Sequence, residues 1–233
     1  MASMQPMTAG GNGRDGGNGR DGGDTARAPG RAVPARTPVD WPATLTTARL
    51  TLRPVERADV PYAVRLWTDP RVRRYLGGPV PADVVRVRER HCAGVPGAFA
   101  AVRHEDGAVL GLVVAEADGH DGRTEVSYQF LPEHWGRGYA REAVAAVAAW
   151  ARGAVRSPVP GVAAVTQRAN RRSRRLLDAL GAVPADDFAA WGEPQVLYVF
   201  PATGPAEPAE PAGLTGPTGL TGPTGPAEPG PGR

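Results

Sequence analysis

The chain has 233 residues, 25 of them proline and 31 glycine, and a formal charge of +3 in which every basic residue but histidine is arginine. That length suits one domain with extensions; so small a charge gives no ground for a nucleic-acid partner, and the lone Cys92 excludes an internal disulfide or an all-cysteine metal site. No apolar run approaches the ~20 residues that span a bilayer, and no apolar stretch follows the N-terminus as in a secretory signal, so a reducing cytoplasm is the expected compartment.

Residues 1–44 read as a disordered Gly-rich tail. The hexad Gly-Gly-Asn-Gly-Arg-Asp occurs at Gly10–Asp15 and again at Gly16–Asp21, and such a segment buries too little to offset its ordering entropy. Between residues 45 and 200 the texture changes. Ala48–Arg53 alternates as a strand does and ends at Pro54. Asp59 is placed to cap a helix through Tyr62, Ala63, Leu66 and Trp67, which stops near Asp69-Pro70, and Pro81 opens a second helix through Val84, Val85 and Arg90. Ala98–Arg103, Val109–Ala117 and Glu125–Leu131 follow as strands, the first two joined at Glu105-Asp106-Gly107. Ala140, Ala143, Val144, Val147, Ala148 and Ala151 recur at helical spacing. Val162–Gln167 is the next strand, Asn170–Leu180 a basic helix stopped by Gly181, and Val196–Phe200 a closing strand. From residue 201 onward a second disordered Pro/Gly-rich tail is expected, with five collagen-like triplets over Gly213–Ala227. The order predicts an α/β (α+β) domain with a mixed sheet.

The segment Pro132-Glu133-His134-Trp135-Gly136-Arg137-Gly138-Tyr139-Ala140 lies between a strand and the clearest helix. A Gly-rich turn opening a helix presents unpaired N–H groups at the positive end of the helix dipole, which suits a pyrophosphate. Gly136 and Gly138 let the backbone approach closely, and Arg137 can add charge-assisted bonds. Asn170-Arg171-Arg172-Ser173 opens the next helix. Read alone, it is an ordinary N-cap followed by a surface serine. The arginines at 168, 171, 172, 174 and 175 suit a solvated face, a phosphate clamp or a nucleic-acid patch, and no interleaved aromatics favour the last.

Together these segments resemble the GNAT superfamily of N-acetyltransferases. Gly138 and Ala140 fill the last two places of its acyl-CoA signature, with Trp135 where Gln or Arg is usual, and Asn170 and Ser173 match its Asn-x-x-Ser. Thr47–Pro54, Gly111, Glu125 before Tyr128, and Trp191 resemble the Rim-type branch, whose best-known members acetylate N-termini of ribosomal proteins. The resemblance implies the GNAT fold: a mixed, mostly antiparallel sheet of about six to seven strands with about four helices. It further implies acetyl-CoA as acyl donor and direct transfer to a primary amine, on a peptide N-terminus or a small molecule, by a monomer or homodimer. The implied donor contacts are Phe130, Leu131, Trp135, Gly136, Arg137, Gly138, Tyr139, Ala140, Asn170 and Ser173. Backbone N–H groups near Phe130 and Leu131 would polarise the thioester carbonyl.

Glu125 and Glu193 are the implied candidates for general base, with Glu133 and His134 as lesser ones. Leu177 stands where many relatives carry an acid tyrosine, which turns attention to Ser173. Cys92 lies outside the signature and is not expected to be a nucleophile. Trp135 and Ala182 keep an alternative open, a catalytically inactive acyl-CoA-binding module.

Overall fold

Two apolar strands start the architecture. Leu50–Pro54 (β2) alternates buried and half-buried side chains, and Ala98–Arg103 (β3) buries its first four residues. They pair antiparallel with Leu52 opposite Ala101. The computed structural model describes residues 38–202 and folds them around one eight-stranded sheet. Its other strands are β1 (Leu45–Thr46), β4 (Val109–Glu116), β5 (Thr124–Phe130), β6 (Val162–Gln167), β7 (Val183–Ala190) and β8 (Glu193–Val199). The spatial order is β1-β2-β3-β4-β5-β6-β8-β7, and every neighbouring pair is antiparallel except β5 with β6.

Helices α1 (Val60–Thr68), α2 (Pro70–Arg73) and α3 (Ala82–His91) precede β3; α4 (Tyr139–Ala154) and α5 (Arg171–Ala179) flank β6 in the chain. The two faces of the sheet carry separate cores. Phe99, Val113, Val126 and Phe130 pack with Ala143, Val144 and Val147 of α4 and Leu177 of α5. Ala98, Ala100 and Leu112 pack instead with Ala63, Leu66 and Trp67 of α1 and Val85 of α3. Even for an Ala-rich helix such as α4, most of the stability in a folded protein comes from packing of its apolar face. Burial of Val144 and Val147, each fully shielded and contributing roughly 1.5–3 kcal/mol, fixes it to the sheet.

The mixed, mostly antiparallel GNAT-type sheet agrees with expectation, but it has eight strands and five helices. The addition with most consequence is β7. Val183–Ala190 carries Pro184, Asp186 and Asp187 and is largely exposed. An edge strand tolerates proline and charge because one side of it lacks a ladder, so no alternating apolar pattern marks it. α2 is a single turn capped by Asp69, whose Oδ1 accepts the Arg71 N–H at 2.8 Å. The expected tail boundary at residue 44 also shifts. Trp41 packs edge-on against Phe99 with centroids 5.1 Å apart, and the Val39 N–H donates to Ala154 O at 2.7 Å. The rest of both expected tails, with the Gly-Gly-Asn-Gly-Arg-Asp repeat and the Gly213–Ala227 triplets, lies outside the described residues.

Candidate active site

β5 and β6 are paired only at Thr124 with Val162 and Glu125 with Ala163. Beyond that fork β6 continues on β8 while β5 continues on β4, so the sheet opens into a cleft of about 1670 Å³. The Leu131 N–H donates to Leu110 O at 2.9 Å, and the register sets Gln129 opposite Leu112 and Ser127 opposite Val114. Hydrogen-bonded pairs alternate along an antiparallel ladder. The amides of Tyr128 and Phe130 therefore face the opening, without a ladder partner. The expectation for Leu131 fails here: its amide is spent on β4, and its side chain is 1% exposed in the core beneath α1.

The Gly-rich turn leads directly from this opening into α4. Gly136 and Gly138 adopt φ of 76° and 79°, a left-handed conformation that glycine reaches without strain. Among the described residues no protein group accepts from the amides of Gly136 to Arg141, and the first helical bond runs from Glu142 N to Gly138 O. Six consecutive unpaired donors at a helix start suit an anion. The turn is bolted in place from three sides. The Trp135 indole Nε1 donates to Phe130 O at 2.7 Å, which accounts for the tryptophan in that signature position. Arg49 donates to Arg137 O at 2.9 Å and pairs with Glu142 at 2.7 Å, and Thr47 Oγ1 donates to the same carboxylate at 2.6 Å. Arg172 lies over the Trp135 ring, 4.1 Å from its centroid. The Arg137 side chain is exposed outside the cleft, whereas Arg141, one turn further, lines it with Arg171, Arg172 and Arg175. Arg168 pairs with Asp187, and Arg174 donates to the Tyr198 hydroxyl.

Titratable groups lie on opposite faces of β5. Glu125 shares its face with Ser127 and Gln129, toward the α1–α3 side. Gly119 packs onto it so closely that a Cβ there would sit 2.6 Å from Glu125 Cβ. This burial pushes the Glu125 carboxyl up to about 7, against a weak bond from the His120 N–H at 3.4 Å and with the Glu116 and Asp121 charges adding to the rise. On the other face the Tyr128 hydroxyl meets Ser173 Oγ at 2.7 Å. Burial holds this phenol up at about 12, so it stays protonated. Asn170 caps α5, its Oδ1 accepting from Ser173 N at 3.2 Å, and leaves its side-chain NH₂ for a ligand carbonyl.

The fork in the sheet, the Gly-rich turn and the Asn170 cap agree with one family in particular. The sequence model described as "Acetyltransferase (GNAT) domain" matches residues 49–183. The chain belongs to the GNAT acetyltransferases. An uncharacterized N-acetyltransferase from Bacillus licheniformis is 33% identical over 109 residues, which cover 43% of this chain and 61% of that protein. A GNAT-family acetyltransferase structure from Bacillus anthracis superposes with a TM-score of 0.57 at 19% identity, over 68% of this chain and 98% of that one. An acetyltransferase from Agrobacterium tumefaciens gives a TM-score of 0.56 at 26% identity, over 68% of this chain and 94% of that one.

Within this GNAT domain the remaining sequence candidates separate. Glu193 opens β8 after the tight Trp191-Gly192 turn, is exposed, and lines an adjoining depression of about 260 Å³ rather than the cleft. Glu133 pairs with Arg65 at 2.6 Å away from the opening, while His134 lines the cleft with its pKa lowered, mainly by burial. Cys92 is buried among α1 and α3 residues, with its thiol pushed up by burial. Sequence reading did not single out the Tyr128 hydroxyl that meets Ser173; alternation with Val126 and Phe130 gave only its face of β5. It also missed Arg141, and Glu116, which faces Glu125 across the ladder. No group of His, Cys, Asp or Glu able to hold a metal is found among the described residues, nor any helix long and apolar enough to cross a membrane.

Proposed function

We propose that this protein is an acetyl-CoA-dependent N-acetyltransferase of the Rim-type branch that acetylates a primary amine directly, in a ternary complex. The observation that carries the reading is the through-sheet opening, with a carboxylate on one face and a hydroxyl pair on the other. Acetyl-CoA would supply an activated acetyl group as a thioester. Six unpaired amides from Gly136 to Arg141 suit its diphosphate, and Arg141, Arg171, Arg172 and Arg175 suit its further phosphate. The Asn170 side-chain NH₂ and the Phe130 and Tyr128 amides suit the carbonyls of the pantetheine arm and the thioester.

From the α1–α3 face, Glu125 takes the proton of the incoming ammonium. With a pKa near 7 the carboxylate is a base matched to neutral solution. From the α4–α5 face, Ser173 is oriented by the protonated Tyr128 to hydrogen-bond the departing sulfur, and the proton that the nitrogen sheds on acylation neutralises the thiolate. Glu193 is left out because its carboxylate is exposed and outside the cleft. Ser173, Leu177 and Trp191 support the Rim-type assignment, with the acceptor a peptide α-amine or a small amine. An inactive binding module would have no use for a half-buried carboxylate and a half-buried hydroxyl pair flanking the same gap.

The test is CoA release across a panel of amines with purified protein, beside Glu125→Gln. Turnover of at least one amine, reduced about 10²-fold or more in the variant with unchanged acetyl-CoA affinity, is expected. Binding without turnover on any amine contradicts it.

A further inference from the structure

We propose that the acceptor is a small dicationic amine: Glu125 receives the reacting nitrogen and Glu116 holds a second ammonium. This rests on the reading of Glu125 as base and adds what binds beside it.

Glu116 and Glu125 are directly opposed across the β4–β5 ladder, in the same hydrogen-bonded phase as Leu110 with Leu131. Such pairs have Cα atoms about 5.5 Å apart and side chains on one face. Both carboxylates line the cleft, Glu125 at the fork and Glu116 one strand further from it. Among the described residues neither has a basic partner at ion-pair distance. Burial raises both carboxyl pKa values, and the Glu116 charge adds to the rise at Glu125. Two opposed carboxylates gain most from a ligand that brings two positive charges.

An independent observation points the same way. Gln129, two residues beyond Ser127 on that face and 6% exposed, leaves Oε1 buried and without a partner among the described residues. The floor of the acceptor half thus offers lone pairs and negative charge, which accept from N–H donors. Its walls are aromatic: His120 stacks on Phe188 with centroids 3.7 Å apart, and Tyr75 and Trp191 line the mouth. Faces of this kind suit an alkylammonium chain. The two arginines that reach this half do not convert it into a carboxylate site. Arg71 is neutralised by Asp69 at 2.7 Å, and Arg74 lies over the Tyr75 ring at the rim.

The experiment compares diaminobutane, butylamine and aminobutyrate, which share a chain and differ in the distal charge. With wild type, kcat/KM is expected to be about tenfold or more higher for diaminobutane than for butylamine, and lowest for aminobutyrate. In Glu116→Gln the diaminobutane-to-butylamine ratio should fall to near one, while acetyl-CoA still binds. A wild-type ratio near one, a preference for aminobutyrate, or an unchanged ratio in Glu116→Gln overturns the proposal. Calorimetry of the two amines against the acetyl-CoA complex of the Glu125→Gln protein needs no turnover. It separates failure of the base from failure of the second subsite: diaminobutane should still outbind butylamine there, and equal affinities would refute the Glu116 assignment.

Discussion

At the scale of single residues, the chemistry depends on what burial does to Glu125 and Tyr128. A carboxyl at about 7 is protonated and useless as a base in acid, so kcat/KM should rise with pH through about 7 and level above it. In Glu125→Gln that limb should vanish from a pH profile; a persisting limb would move the base elsewhere. Tyr128 and Ser173 share one hydrogen bond, so they should behave as a unit. Tyr128→Phe and Ser173→Ala are each expected to lower kcat by about 10²-fold, with the double variant little worse than either. Full multiplicativity in a double-mutant cycle would contradict action through that shared hydrogen bond. Tyr128 was legible only as a core position, because strand alternation gives its face but not the hydroxyl it meets.

At the scale of elements, two glycine-linked features position the site. Gly111 on β4 faces Phe130, and a Cβ there would lie 2.3 Å from Gln129 O and 2.8 Å from Phe130 Cα. Those contacts are backbone and cannot swing aside. Gly111→Ala should therefore cost roughly 1–3 kcal/mol in urea unfolding and weaken acetyl-CoA binding, since β5 carries the free amides. The β7–β8 turn presents the opposite case. Trp191 holds φ of 54°, which costs a large side chain of order 1–3 kcal/mol. Asn-Gly is the preferred pair for such a two-residue turn. Trp191→Asn is expected to raise Tm and, because the indole lines the cleft, to raise KM for the amine without changing acetyl-CoA affinity. The resemblance had marked Gly111 and Trp191, but their reasons are three-dimensional: one is a close approach between strands, the other a strained turn. β7 was illegible because Pro184 and two aspartates are compatible with an edge strand and also with a loop.

At the scale of the molecule, helix periodicity and the Gly-rich turn were enough to read a mixed α/β domain and to single out the turn that lies at one end of the cleft. The acceptor end was not readable, since it joins α2, the β4–β5 loop and β7, which are distant in sequence. Burial of that end also has a thermodynamic signature. Glu125 has a folded pKa above its ordinary 4.5, so its protonated form is favoured in the folded state. The associated stability is present below about 4.5 and is lost as pH rises through about 7. Asp106 works in the opposite sense and at lower pH, with its carboxyl held down at about 2 by Arg103, so its contribution is lost only in strong acid. Urea midpoints should therefore fall between about pH 5 and pH 7.5 in wild type and flatten in Glu125→Gln.

Binding of the acyl donor depends above all on the six amides that open α4. Titration calorimetry of acetyl-CoA into the full chain, beside Gly138→Val, tests them most directly. Gly138 holds φ of 79°, and a Cβ there would press on the Arg49 guanidinium at 3.3 Å, so valine strains the turn itself. Wild type is expected to bind acetyl-CoA, with the variant weaker by about tenfold or more. No heat of binding in the wild-type protein, or equal affinity in the two, would contradict the assignment.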